Sequence, residues 1–178
     1  MRLLLTSVGV TNNSIRKALV ELLGKPVEEC QAVQITTVLY ASPSGPEDAY
    51  QMARYYGGMG WKELGSLELT TLPTIEEEHW LPFVESSDAI LVSGGNTGYL
   101  RNWLQESGFA ERLPGLLEER VYFGISAGSA MATLASTTTR IAWSGRASTK
   151  MTSMRRPRHR TRASRGGWAW WASPFVRA

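Results

Sequence analysis

The chain carries Val121-Tyr122-Phe123-Gly124-Ile125-Ser126-Ala127-Gly128-Ser129-Ala130-Met131, a short apolar run that ends in a serine flanked by glycine two residues to either side. A serine in G-x-S-x-G, with a strand before it and a helix after it, is the sequence form of a nucleophile elbow. Such a turn crowds its neighbours, so only Gly or Ala fit at Gly124, Ala127 and Gly128, and the hydroxyl is lifted clear of the sheet. The N–H of Ala127 then points to where a carbonyl oxygen gains negative charge. The same residues also read as a Gly-rich turn in which Ser126 caps a helix and does no chemistry. A second stretch, Ser93-Gly94-Gly95-Asn96-Thr97-Gly98-Tyr99-Leu100, follows the apolar run Asp88 to Val92. Glycines at the carboxyl end of a strand let backbone approach a ligand, and a helix starting near Thr97 offers free N–H groups to an anion or a substrate carboxylate. It lacks the lysine of a phosphate loop and the spacing of a dinucleotide fingerprint, so no nucleotide or other cofactor is expected.

The elements that must position these loops alternate. Arg2 to Val8 reads as a buried strand of the parallel kind, and Thr11-Asn12-Asn13 caps a helix with apolar positions Ile15, Ala18, Leu19, Leu22 and Leu23, ended by Gly24 and Pro26. Val33 to Leu39 is a second strand, Glu47 to Tyr56 a helix stopped by Gly57-Gly58, and Leu64 to Leu72 a third strand nearer an edge. Thr74 to Glu77 fits a capping box for a helix carrying Trp80, Leu81 and Val84. Glu76-Glu77-Glu78 then lie in its first turn, where the helix dipole favours them, and with His79 they lack metal-ligand spacing, so no metal site is expected. Tyr99 to Glu106 and Phe109 to Glu119 are helical, with Pro114 dividing the latter, and the strand Val121 to Ile125 precedes the elbow. Alternation of this kind predicts an α/β fold with a parallel sheet between helices and ligands at the carboxyl edge of the strands.

Among 178 residues with 43% hydrophobic content, one full core can form. The net charge of +3 divides unevenly: residues 140–178 hold ten Lys or Arg and no acid, leaving nine basic against sixteen acidic residues, net −7, before position 140. The single cysteine, Cys30, forms no internal disulfide and suits a reducing compartment. No apolar run is long enough for a membrane span, and the one at Leu3-Leu4-Leu5 breaks too early for a signal peptide, so a cytoplasmic location is expected.

Leu-Leu-Leu-Thr-Ser near the start, Leu91-Val92-Ser93-Gly94-Gly95-Asn96-Thr97 and Phe123-Gly124-Ile125-Ser126-Ala127-Gly128-Ser129-Ala130, at this separation, resemble the peptidase E (dipeptidase E) family of serine peptidases and its cyanophycinase-like relatives over residues 1–133. The resemblance implies a three-layer flavodoxin-like fold akin to class I glutamine amidotransferases, with serine replacing their cysteine. It implies hydrolysis of small peptides, with N-terminal aspartate dipeptides as the substrate of relatives. It also implies Ser126 as nucleophile, Gly95 and Ala127 N–H groups as the oxyanion hole, and Gly94, Asn96 and Thr97 beside the substrate.

A serine nucleophile needs a general base, which in that family is a downstream histidine followed by an acid. Here the only later histidine is His159, within Arg155-Arg156-Pro157-Arg158-His159-Arg160, and nothing after Glu119 is acidic. Residues 134–178 lose periodicity and end in Gly166-Gly167-Trp168-Ala169-Trp170-Trp171. They read either as a basic arm, with Arg for phosphates and Trp for base stacking, or as a slipped reading frame. A one-base shift across Gly167 to Phe175 turns the TGG codons into a Leu/Val/Met-Gly strand pattern, which favours the slipped frame. The expectation is an enzyme core without its base or last strands, with an α/β-hydrolase-type esterase as the alternative. A nucleic acid partner is disfavoured by the −7 body, and the oligomeric state is left open.

Overall fold

The computed structural model describes residues 1–137, with side chains through residue 132; His159 and the Arg/Trp-rich segment lie outside the described residues. Five strands, β1 (Arg2–Thr6), β2 (Gln31–Ile35), β3 (Glu63–Ser66), β4 (Ala89–Val92) and β5 (Val121–Ile125), form one sheet in the order β1-β5-β4-β2-β3. Every pairing is parallel, with Thr6 opposite Ile125 and Ile35 opposite Val92. The helices are α1 (Asn13–Leu23), α2 (Gly45–Gly57), α3 (Leu81–Ser86), α4 (Thr97–Glu106), α5 (Phe109–Glu119) and α6 (Ala127–Thr137).

Side-chain alternation along the strands divides the core into two layers. Ala32, Ala89, Leu91, Val121, Phe123 and Ile125 bury against α1 and α2 through Leu19, Leu23 and Tyr56. Val33, Ile35, Ile90, Val92 and Tyr122 bury against α3 to α6 through Val84, Leu100, Leu113 and Met131. That is the expected three-layer α/β arrangement, and right-handed crossovers account for it: connections moving from β1 toward β3 lie on one face, and those moving back lie on the other. The change of direction falls between β2 and β4, where such sheets open a crevice. No helix among the described residues is long and apolar enough to cross a membrane.

Several elements differ from the sequence expectation, for local reasons. The first strand stops at Thr6 because Thr6 Oγ1 accepts the N–H of Gly9 (2.9 Å), whose φ of 88° turns the chain; it is parallel as expected but only partly buried, because it forms an edge of the described sheet. The second ends at Ile35, and Thr37–Ala41 coil into a 3-10 turn closed by Leu39 N–H to Thr36 O (3.0 Å). The third lies at an edge as expected but ends at Ser66, because the Glu68 side chain and carbonyl capture the Thr70 and Thr71 hydroxyls. Thr74 makes no capping box: its hydroxyl donates back to Thr71 O, Glu77 pairs with Arg112 at 2.5 Å, and the helix starts at Leu81. Asp88 precedes β4 and accepts from Gln31 N–H and Lys25. Pro114 sits inside a continuous α5, held by the buried face Phe109, Ala110, Leu113, Leu116 and Leu117. Asn12 caps α1 by accepting Ile15 N–H, and left-handed Gly24 ends it, as the sequence indicates.

Helix α6 rests on the sheet at glycines. A Cβ at Gly124 would stand 2.7 Å from Ser129 N and 2.8 Å from the Gly128 carbonyl carbon, and a Cβ at Gly128 would overlap the Val92 carbonyl oxygen. Tyr122 OH donates to Gly128 O (2.7 Å) and locks the contact. The Gly128→Ala variant is therefore expected to lose about 3 kcal/mol, the upper range for overpacking against backbone that cannot yield. Urea denaturation checks this.

Burial pushes up the phenols of Tyr55, Tyr56 and Tyr122, and the thiol of Cys30. In each the folded state favours the protonated form. Their contribution is complete below the unfolded values, about 8.5 for the thiol and about 10 for the phenols, and is lost as pH rises above them. The unfolding free energy from urea denaturation is expected to be level near pH 8 and to fall by up to about 1.4 kcal/mol per pH unit for each buried phenol above pH ~10, carrying the midpoint down with it. A level midpoint through that range would show that the phenols ionise without unfolding.

Candidate active site

Because all five strands are parallel, their carboxyl ends share one edge, and both Gly-rich loops open there. Strand β5 passes into α6 with only Ser126 between them. That residue has φ 49°, the one non-glycine positive φ among the described residues. A left-handed serine costs about 1–2 kcal/mol, and here the cost is met by neighbours: its N–H donates to Thr6 O (2.8 Å), and its carbonyl accepts Ala130 N–H (3.0 Å). Ser126 is exposed while Ile125 and Ala127 are buried, so the turn presents its side chain outward. A capping serine has extended backbone, whereas this one is left-handed. The elbow geometry thus replaces the plain N-cap reading.

The loop after β4 meets the elbow. A Cβ on Gly94 would lie 3.0 Å from Ser126 Cβ and 3.3 Å from Ile125 O, so the absence of a side chain lets this backbone stand beside the serine. Gly95, at φ 150°, is seated on the turn after β2, where a Cβ would be 2.9 Å from Val38 Cγ2 and 3.0 Å from Val38 O. Asn96 caps α4 by accepting Tyr99 N–H on Oδ1 (2.9 Å), and Thr97 opens that helix; both are exposed. Ala127 is buried at the first position of α6, where a helix N–H has no intrahelical acceptor. The structure therefore brings Gly94 directly onto Ser126, holds Gly95 beside Gly94, and leaves Asn96 engaged in a cap.

Three residues to which the sequence analysis gave no role, Ser129, Thr6 and Tyr55, support the elbow. Ser129 Oγ lies 2.8 Å from both Thr6 O and Gly124 O, to one of which it donates, and it accepts Thr6 N–H at 3.0 Å. Tyr55 OH accepts Val10 N–H at 2.6 Å. The signal for Ser129 and Thr6 was present as a small polar residue three past the serine and a hydroxyl ending an apolar strand. Tyr55, far away in sequence, left none.

No described side chain bonds to Ser126 Oγ as a base. His79, the histidine among the described residues, is two-thirds exposed and lies 4.0 Å from Glu78. No group of His, Cys, Asp and Glu able to hold a metal occurs among the described residues. The segments Ser7–Asn12, Thr36–Ser44 and Ser93–Asn96, which follow β1, β2 and β4, contain no charged residue. The polar groups along this part of the edge are backbone groups, hydroxyls and the side-chain amides of Asn12 and Asn96.

Comparison with known proteins agrees with the architecture. A Listeria monocytogenes EGD-e protein, named as a candidate peptidase E and known from a crystal structure, aligns with a TM-score of 0.50 at 20% identity over 71% of this chain. The alignment takes in 58% of that protein, so the chain spans little more than half its length; the likeness is one of fold. No curated protein matches the sequence. The model of peptidase family S51, however, matches residues 3–154, which take in β1, the loop after β4 and the elbow, and the chain belongs to that family.

Proposed function

We propose that the chain is a serine-type peptidase acting on short peptides, with N-terminal aspartate dipeptides as its substrates, through an acyl-enzyme on Ser126. The observation that carries the reading is the left-handed, outward-facing Ser126 in contact with the Gly94 backbone. In this mechanism Oγ attacks the scissile carbonyl while the N–H groups of Gly95 and Ala127 receive the oxyanion. The amine leaves with a proton, and water then attacks the ester carbon to release the acid and restore the serine. Asn96 and Thr97 flank the bound peptide, and the free N–H groups opening α4 suit a carboxylate. No described side chain is placed to take the Oγ proton, and because no acid follows Glu119 to orient His159, slow turnover is expected.

Release of amino acids from Asp-Leu is expected at a rate about 10⁶-fold below that of a complete triad, the scale of a lost base. Ser126→Ala is expected to remove what remains, and retention of the rate in Ser126→Ala would discard Ser126 as nucleophile. Faster turnover of p-nitrophenyl acetate than of Asp-Leu would instead favour an esterase, and salt-sensitive binding to single-stranded DNA a nucleic-acid role.

Gly95→Ala places a Cβ against the Val38 backbone at a φ that disfavours side chains, and it is expected to lower kcat by about 10²-fold or more, the scale of a lost oxyanion donor. KM for Asp-Leu is expected to change little. A change confined to KM would move Gly95 from the oxyanion hole to substrate binding.

A further inference from the structure

Ser126 is fixed by groups that do no chemistry themselves. Its N–H is held by the Thr6 carbonyl at 2.8 Å, and Thr6 in turn donates from Oγ1 to Gly124 O (3.2 Å) and accepts Gly9 N–H (2.9 Å). One residue on, Val10 N–H donates to the hydroxyl of Tyr55 at 2.6 Å. That hydroxyl fills the space a side chain on Gly9 would need, 2.5 Å from the ideal Cβ position, with Ile125 Cδ1 3.2 Å away on the same site. Behind it, the Tyr55 ring lies 5.4 Å from that of Tyr56, which meets Phe123 of β5 edge-on at 6.2 Å. The last turn of α2 therefore reaches both the turn after β1 and the strand leading to the serine.

We infer that Tyr55 is a positioning residue: from α2 it pins the Gly9-Val10 turn, and through Gly9 and Thr6 it fixes the backbone of Ser126 and so the direction of Oγ. A phenylalanine would fill the same volume. What the hydroxyl adds is an acceptor for Val10 at one distance and one angle, and a hard wall against Gly9. Without it the Val10 N–H loses its acceptor, and the turn can move away from Ile125. Thr6 then loses the Gly9 N–H that sets its hydroxyl. The consequence at Ser126 is a looser N–H bond on a residue that is already in an unfavourable conformation.

The inference rests on the reading of Ser126 as a nucleophile, and its test has one readout that does not. In the full chain, Tyr55→Phe, Thr6→Val and Thr6→Ser are compared by amide hydrogen exchange at Gly9, Val10, Ser126 and the β4 residues, and by Asp-Leu turnover. Exchange at Val10 and at Ser126 is expected to rise about tenfold in Tyr55→Phe, the scale of one lost hydrogen bond, with β4 unchanged. Thr6→Val is expected to do the same at Gly9 and Ser126, and Thr6→Ser, which keeps the hydroxyl, to match the parent. Turnover follows the same pattern, with kcat down about tenfold and KM unchanged. Faster exchange at Val10 with Ser126 unchanged in Tyr55→Phe overturns the inference, and so does loosening of β4 to the same extent. Should the parent chain cleave nothing, the peptidase reading fails while exchange at Ser126 still decides the role of Tyr55.

Discussion

The site depends on how closely α6 lies against the ends of β4 and β5. Gly124 faces the backbone of Gly128 and Ser129, and Gly128 faces the Val92 carbonyl, with no side chain between them. At that separation the chain has no room for a linker between strand and helix. A single residue must reverse its direction, and the conformation that does so is left-handed. Ser126 takes it, and its neighbours Ile125 and Ala127 turn inward because the sheet and helix they belong to are already in contact. The exposure of the hydroxyl is thus a result of backbone packing several residues away.

The same closeness explains why the second loop ends where it does. Parallel strands β4 and β5 are neighbours, with Val92 opposite Gly124, so the loop leaving Val92 emerges beside the elbow. Gly94 can touch Ser126 only because it has no side chain, and Gly95 can lie on Val38 for the same reason. The turn after β2 thereby braces one side of the loop, and α4, capped by Asn96, braces the other. The resulting cleft edge is built from backbone and neutral residues. Such a surface suits an oxyanion held by N–H groups, whose dipoles act without the reorganisation a mobile cation would need.

The sequence showed the layers and both loops, because each rests on a local pattern: apolar runs of strand length, helical spacing, and glycines where backbone crowds backbone. Residues 121–125 and the cap at Asn12 stand as read. It overran strands where polar side chains end the ladder, as Thr37 does by accepting Leu69 N–H and Glu68 does by binding Thr70 and Thr71. It divided α5 at Pro114, where the buried face of the helix outweighs one missing bond. The support of the site was hidden more deeply. Tyr55 reads as one more ring on an amphipathic helix, and nothing local says that its oxygen meets an amide 45 positions earlier.

Placing a hydroxyl and activating it are separate tasks, and the described residues perform the first. The left-handed turn, the Thr6 carbonyl and the Gly94 contact fix where Oγ stands, yet none of them takes its proton. A serine hydroxyl at neutral pH is protonated and weakly nucleophilic, and correct placement alone recovers only part of a hydrolase's rate. In the mechanism proposed above, backbone donors at Gly95 and Ala127 act on the other partner, the carbonyl, and stabilise charge after attack has begun. That proposed contribution needs no base, because it depends on backbone geometry, which is set by β4, β5 and α6. The left-handed turn and the packing of both loops therefore hold whether or not a proton acceptor reaches Ser126.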